Sequence, residues 1–180
     1  HGDTVTAWTN GTYRIARTDG TAIERSATSA VCQMLDGGWD VRFPDGWGMP
    51  QLVRMPRLIP WMDVDAAPEG KAFSGSATYT AMFSLPSLDK GSRVVLDLGR
   101  VESIAVVTLN GRKLGTLWSE PYRLDATVAA KAGANELTIE VTNTWFNRLV
   151  YDAGQPDANR KTWTIRGPSK DFSLRPSGLL

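Results

Sequence analysis

The sequence predicts an all-β chain, an antiparallel β-sandwich closed as a jelly roll, on three observations. Apolar and polar residues alternate in segment after segment, Asn-Gly and Asp-Gly turn signals fall between those segments, and helical periodicity is nearly absent. Several short strands with polar turns and no long helix point to a sandwich, and a jelly roll is the common way to close one of this length.

Taken in chain order, the first elements are two strands around residues 11–17 and 21–27, joined at Asp19-Gly20, a hairpin signal. Asn10-Gly11-Thr12 also fits a glycosylation sequon, but Asn-Gly before a β-branched run reads first as a turn. The pattern weakens over residues 28–38 and restarts in GGWDVRFPDGWGMP with a short strand and a glycine-rich turn. This places a boundary near residue 35, with an accessory hairpin or edge sheet over 1–35 and the main jelly roll over 36–180. Within the main body Tyr79, Ala81, Phe83 and Leu85 alternate, as do Val94, Leu96 and Leu98, then Ala105, Val107 and Leu109, and finally Leu137, Ile139 and Val141. Asn110-Gly111 between apolar flanks predicts a tight hairpin. Only LDATVAAKAGAN looks helical, for one or two turns ended by Gly133.

Composition bounds the function. With 180 residues and 42% hydrophobic content the chain supports one well-buried core. Its 20 basic and 19 acidic residues are spread without blocks, which provides no electrostatic footprint for nucleic acid or an anionic membrane. No apolar run approaches the roughly 20 residues of a membrane-spanning helix. The single cysteine, Cys32, excludes an internal disulfide and reads as a small buried apolar residue rather than a nucleophile. The only histidine is His1, so a Ser-His-Asp or Cys-His arrangement lacks a base, and HExxH, Walker and dinucleotide fingerprints are absent. The terminal sequence LRPSGLL is unusually apolar for a chain end and reads as part of a longer protein.

In order along the chain, GGWDVRFPDGWGMP, FSGSATYTAMFSLP, LDLGRVESIAVVTLNGRKLGTLWSEPYRLDAT, GANELTIEVTNTWFNRLVYD, RKTWTI and RPSGLL resemble the C-terminal region of bacterial α-L-rhamnosidases of glycoside hydrolase family 106. The central part is also similar to the sugar-binding jelly-roll domain of glycoside hydrolase family 2, a galactose-binding-like fold. The resemblance implies a secreted or periplasmic enzyme that degrades plant-type polysaccharide, with catalysis in a barrel upstream. Such a barrel needs about 200 residues or more with alternating helices, so the likeness implies a non-catalytic module of a glycoside hydrolase. It also implies a possible structural calcium and no required cofactor. The partners it implies are a polysaccharide or oligosaccharide, for example rhamnose- or galacturonate-containing pectin, and the catalytic domain of the same polypeptide.

A sugar ring offers an apolar C–H face and a rim of hydroxyls, so its receptors combine a flat aromatic platform with Arg, Asn and Asp. LWSEPYRLD supplies Trp118, Tyr122 and Arg123, and TWFNRLVYD supplies Trp145, Asn147, Arg148 and Asp152; these seven are the candidate ligand-binding residues. Two readings stand together. The segments form a sugar cleft if they meet at one end of the sandwich, or they form a structural lock where a strand runs out, with Asn143 and Asn147 satisfying backbone groups. Trp39, where the strand pattern restarts, reads as core. Loop carboxylates at Asp63, Asp65, Asp125, Asp152, Asp157 and Asp171 leave a third reading, a catalytic fragment, which would need two of them facing across a pocket.

Overall fold

The computed structural model describes residues 7, 9–27, 31–35, 38–86, 88 and 92–180. Trp8 and His1 lie outside the described residues. The chain divides into two compact units, His1–Leu35 and Asp36–Leu180.

In the first unit β1 (Gly11–Ala16) pairs antiparallel with β2 (Ala22–Ala27), with Ile15 opposite Ile23. Arg17 N donates to the Thr21 carbonyl at 2.8 Å, and Asp19 Oδ1 accepts from Thr21 N at 2.9 Å, which closes the expected Asp-Gly turn. Cys32 is exposed, contrary to the reading of it as a buried residue. The physical reason is local: none of the described residues of this unit is buried, so it offers the thiol no core.

The second unit is an antiparallel β-sandwich. Its elements are β3 (Trp39–Arg42), β4 (Leu52–Met55), α1 (Pro68–Lys71), β5 (Ser76–Leu85), β6 (Val95–Asp97), β7 (Val101–Glu102), β8 (Ile104–Leu109), β9 (Arg112–Leu117), β10 (Arg123–Asp125), β11 (Gly133–Thr142), α2 (Phe146–Ala153) and β12 (Gly178–Leu179). The main sheet runs β4-β3-β5-β11-β8-β9, and two-stranded pieces β6/β10 and β7/β12 accompany it. β11 is the centre, paired along its length with β5 and over its second half with β8. The alternation read from the sequence decides which face is buried: Ala77, Tyr79 and Ala81 on β5, Ala105, Val107 and Leu109 on β8, and Leu137, Ile139 and Val141 on β11 all turn inward. Asn110 and Gly111 both have positive φ, 51° and 77°, the geometry that a two-residue hairpin needs to match strand twist.

An aromatic cluster closes one end of the core. Trp61, Phe73 and Phe43 meet edge to face with centroids 5.2 to 5.7 Å apart, and Trp39 meets Tyr79 at 6.1 Å, so Trp39 is core as expected. The Tyr79 hydroxyl accepts from Trp61 Nε1 at 2.5 Å and from Leu179 N at 3.1 Å. The C-terminal residues are thereby built into the core: Ser177 accepts from Trp61 N at 2.9 Å, and Leu180 N donates to the Arg100 carbonyl at 2.9 Å. Gly178 passes so close to this cluster that a Cβ there would stand 2.6 Å from Tyr79 Oη, at a φ of +110° that disfavours any side chain.

Two expectations about helices are corrected. Residues 126–132 form a hydrogen-bonded turn and no helix. Asp125 Oδ1 caps Thr127 N at 2.9 Å, and the buried Asn135 side chain takes Lys131 N at 3.0 Å and donates to the carbonyls of Lys131 and Gly133, so side chains supply the bonds that a second helical turn would need. The longest helix is instead α2, which begins at Phe146, shortly after β11 ends at Thr142.

Candidate functional site

The aromatic stretch that follows β11 forms a lock around α2. Asn143 holds the strand end, its Oδ1 accepting from Gly75 N at 2.8 Å and its Nδ2 donating to the Phe73 carbonyl at 2.9 Å. In the first turn of the helix, Asn147 pairs with the backbone of Arg175, donating to its carbonyl and accepting from its N–H, both at 2.8 Å. Asn147 thus ties α2 to the C-terminal segment, and the Arg175 guanidinium covers the Phe146 ring at 3.7 Å.

Arg148 is the centre of the lock. Its guanidinium makes ion pairs with Asp152 Oδ1 at 2.7 Å, one turn along the helix, and with Glu69 Oε1 at 2.9 Å, on α1. It also stacks over Trp47 at 5.3 Å and Tyr151 at 5.2 Å. Lys161 Nζ reaches the same Glu69 oxygen at 2.7 Å and lies over the same Trp47 ring at 5.2 Å. The second Asp152 oxygen accepts from Lys161 N at 3.0 Å, Thr162 N at 2.7 Å and Thr162 Oγ1 at 2.6 Å. Burial opposes ionisation of Asp152, but the bonds from Arg148 and Thr162 outweigh it and hold the carboxyl below its ordinary value. Lys161 and then Arg148 do the same for Glu69.

The seven predicted ligand residues therefore divide. Asn147, Arg148 and Asp152 are 3%, 1% and 1% exposed; Asn147 bonds the Arg175 backbone and Arg148 and Asp152 are ion-paired to each other, while Arg148 Nε has no hydrogen-bond partner. They build the lock and face no solvent, a correction to their reading as sugar contacts. Tyr122 is buried too, its hydroxyl donating to the Ser103 carbonyl at 3.3 Å. Arg123 is ion-paired to Asp97 at 2.7 Å on the surface. Trp118 and Trp145 are open to solvent, at 74% and 49% exposed, and Trp145 leans on Trp47 with centroids 5.7 Å apart.

The two segments do leave the same end of the main sheet. Leu117 at the end of β9 is in register with Ala105, which is in register with Val141 near the end of β11. Trp118 and Trp145 thus follow strands that run in the same direction and lie two strand spacings apart, roughly 10 Å. Beside Trp145, residues missed by sequence reasoning complete the surroundings: Trp47, Glu69, Lys161 and Thr162 are supplied by segments remote in the chain. The strand-end lock itself is read from Asn143 and Asn147, which do satisfy backbone groups there, and the four-residue spacing of Arg148 and Asp152 is a further local signal.

The loop carboxylates offer a calcium ion little. Asp152 is engaged as described, and Asp125 is held at about 2 by the Thr127 hydroxyl and Arg93. Among the described residues no group of three His, Cys, Asp or Glu side chains is placed to hold a metal ion.

An antiparallel sandwich of this topology, with Trp118 and Trp145 exposed beyond two strands of its main sheet, has the architecture of the galactose-binding-like domains found in glycoside hydrolases. Residues 71–173, more than half of the chain, match the family described as glycosyl hydrolase 2 galactose-binding domain-like, and the chain belongs to that family. It is 45% identical over 132 residues, 71% of its length, to a Formosa agariphila protein that carries a provisional beta-glucuronidase name. Its fold follows the solved rhamnosidase from Novosphingobium sp. PP1Y over 99% of the chain, with a TM-score of 0.73 and 38% identity. It also follows the beta-glucuronidase of Ruminococcus gnavus over 62% of the chain, with a TM-score of 0.54 and 25% identity. The chain spans 11% of the Formosa protein, 15% of the rhamnosidase and 21% of the Ruminococcus enzyme.

Proposed function

We propose that the chain is a non-catalytic carbohydrate-binding domain of a multidomain glycoside hydrolase of the α-L-rhamnosidase type, of glycoside hydrolase family 106. In this reading it holds plant cell-wall polysaccharide, such as rhamnose- or galacturonate-containing pectin, beside the catalytic domain of the same secreted or periplasmic polypeptide. The observation that carries it is the exposure of Trp118 and Trp145 at one end of a single sheet. Exposed indoles that follow two strands of one sheet offer apolar faces of the kind that pyranose rings stack on. Weak binding suffices there, because tethering to the enzyme raises the effective concentration of substrate.

The lock argues against catalysis by this chain. A glycosidase acid must keep its proton near neutral pH, whereas the buried Asp152 is pushed the other way by Arg148 and Thr162, and the half-buried Glu69 by Lys161 and Arg148.

A second reading has an observation of its own. Trp163, Ile165 and Phe172 are all exposed within ten residues of irregular chain. Such a surface also suits packing on the catalytic domain without any ligand. Affinity electrophoresis on rhamnose-rich pectins separates the two. Retardation that is lost in folded Trp118→Ala and Trp145→Ala variants supports the binding domain, whereas unretarded migration on every glycan by a folded chain supports the packing domain.

A further inference from the structure

Beside the lock, an open depression of about 310 Å³ is lined by Asp157, Arg160, Lys161, Thr162 and Trp163. We propose that this depression is a subsite for an acidic pyranose, a uronate residue, with Trp163 as the stacking platform and Arg160 as the carboxylate partner. The inference rests on the reading of the domain as carbohydrate-binding and adds a second site and its ligand class.

Three features point there. Trp163 is 80% exposed, a large apolar face left in water that the C–H face of a pyranose would cover. Its place is fixed: the preceding residues, Lys161 and Thr162, give both backbone N–H groups and the Thr162 hydroxyl to the buried Asp152 carboxylate. An exposed platform on an anchored backbone is preorganised, so less ordering cost falls on the ligand. The lining carries two cations against one carboxylate. Arg160 donates from Nε to the Gln155 carbonyl at 2.9 Å and pairs through Nη1 with Asp157 at 2.8 Å, where the Asp157 side chain is 90% exposed. An exposed pair of this kind contributes little, so a uronate carboxylate can replace Asp157 on the guanidinium fork. Lys161 is ion-paired to Glu69 at 2.7 Å, so Arg160 is the lining cation that a ligand carboxylate can take over.

The test is affinity electrophoresis of the chain in polygalacturonate and in the same polymer fully methyl-esterified, which keeps the ring and removes the charge. The expected result is retardation in polygalacturonate that weakens with added salt, is lost in Trp163→Ala, falls about tenfold in Arg160→Gln, as for loss of a charge-assisted bond, and is nearly absent in the ester. Thermal melts confirm folding, which neither surface substitution should disturb. Equal retardation by both polymers, wild-type behaviour of Trp163→Ala, or no retardation by polygalacturonate would overturn the proposal. Retardation on rhamnose-rich pectin that needs Trp118 or Trp145 while polygalacturonate has no effect would sink this inference alone and leave the broader reading standing.

Discussion

Arg148 shows how one side chain changes meaning between sequence and structure. In the sequence it sits with Trp145, Asn147 and Asp152 as though offered to a ligand; in the fold it is 1% exposed between two carboxylates and two aromatic rings. The four-residue spacing to Asp152 was legible, but Glu69 lies 79 positions away and nothing local announces it. Removing the cation leaves Asp152 charged and buried, so Arg148→Ala should cost about 3–5 kcal/mol by urea unfolding. The same pair sets a pH dependence. Asp152 and Glu69 both have lowered folded-state values, so the stability they contribute is complete above their unfolded values near pH 4 and is lost as pH falls through the lower folded ones. Urea midpoints should therefore hold from pH 7 to 5 and drop below about 4, more shallowly in Asp152→Asn.

At the scale of elements, the strands were readable because a half-buried antiparallel strand must alternate, and the inward residues of β5, β8 and β11 follow that alternation without a slip. Helix α2 did carry a helical signal, since Phe146, Leu149, Val150 and Ala153 recur at the spacing of one helix face. The run is only eight residues long, however, and its aromatic and polar groups draw the reading towards a ligand site; its buried residues are Val150 and the polar Asn147, Arg148 and Asp152. The turn after β10 misled in the opposite direction: alanine-rich residues promise a helix, but Asp125 and Asn135 bind the backbone first. The C-terminal strand β12, paired with β7, is also tied to the core through the Tyr79 hydroxyl. Tyr79→Phe would leave Trp61 Nε1 and Leu179 N as buried donors without their acceptor, so urea unfolding should show a loss of about 2–4 kcal/mol with little change in backbone circular dichroism.

For the whole molecule, every buried apolar residue among those described lies at or beyond Trp39. The hairpin of the first unit contributes none of that core, and a lone hairpin is marginal by itself. A chain of residues 36–180 should accordingly unfold at the same urea concentration as the full chain; a clear fall in its midpoint would show that the first unit supports the sandwich. The fold and the membership in a glycoside hydrolase family of galactose-binding-like domains were both visible in strand pattern and motif order. The candidate site was visible only in part, because sequence shows which residues carry aromatic and polar groups and burial decides which of them meet solvent. The central claim is that this domain binds carbohydrate through Trp118 and Trp145, and affinity electrophoresis of wild type and the two alanine variants on rhamnose-rich pectin tests it most directly. The account predicts retardation of the wild type that both folded variants lose; a folded wild type that migrates freely on every glycan, or variants retarded as strongly as wild type, would contradict it.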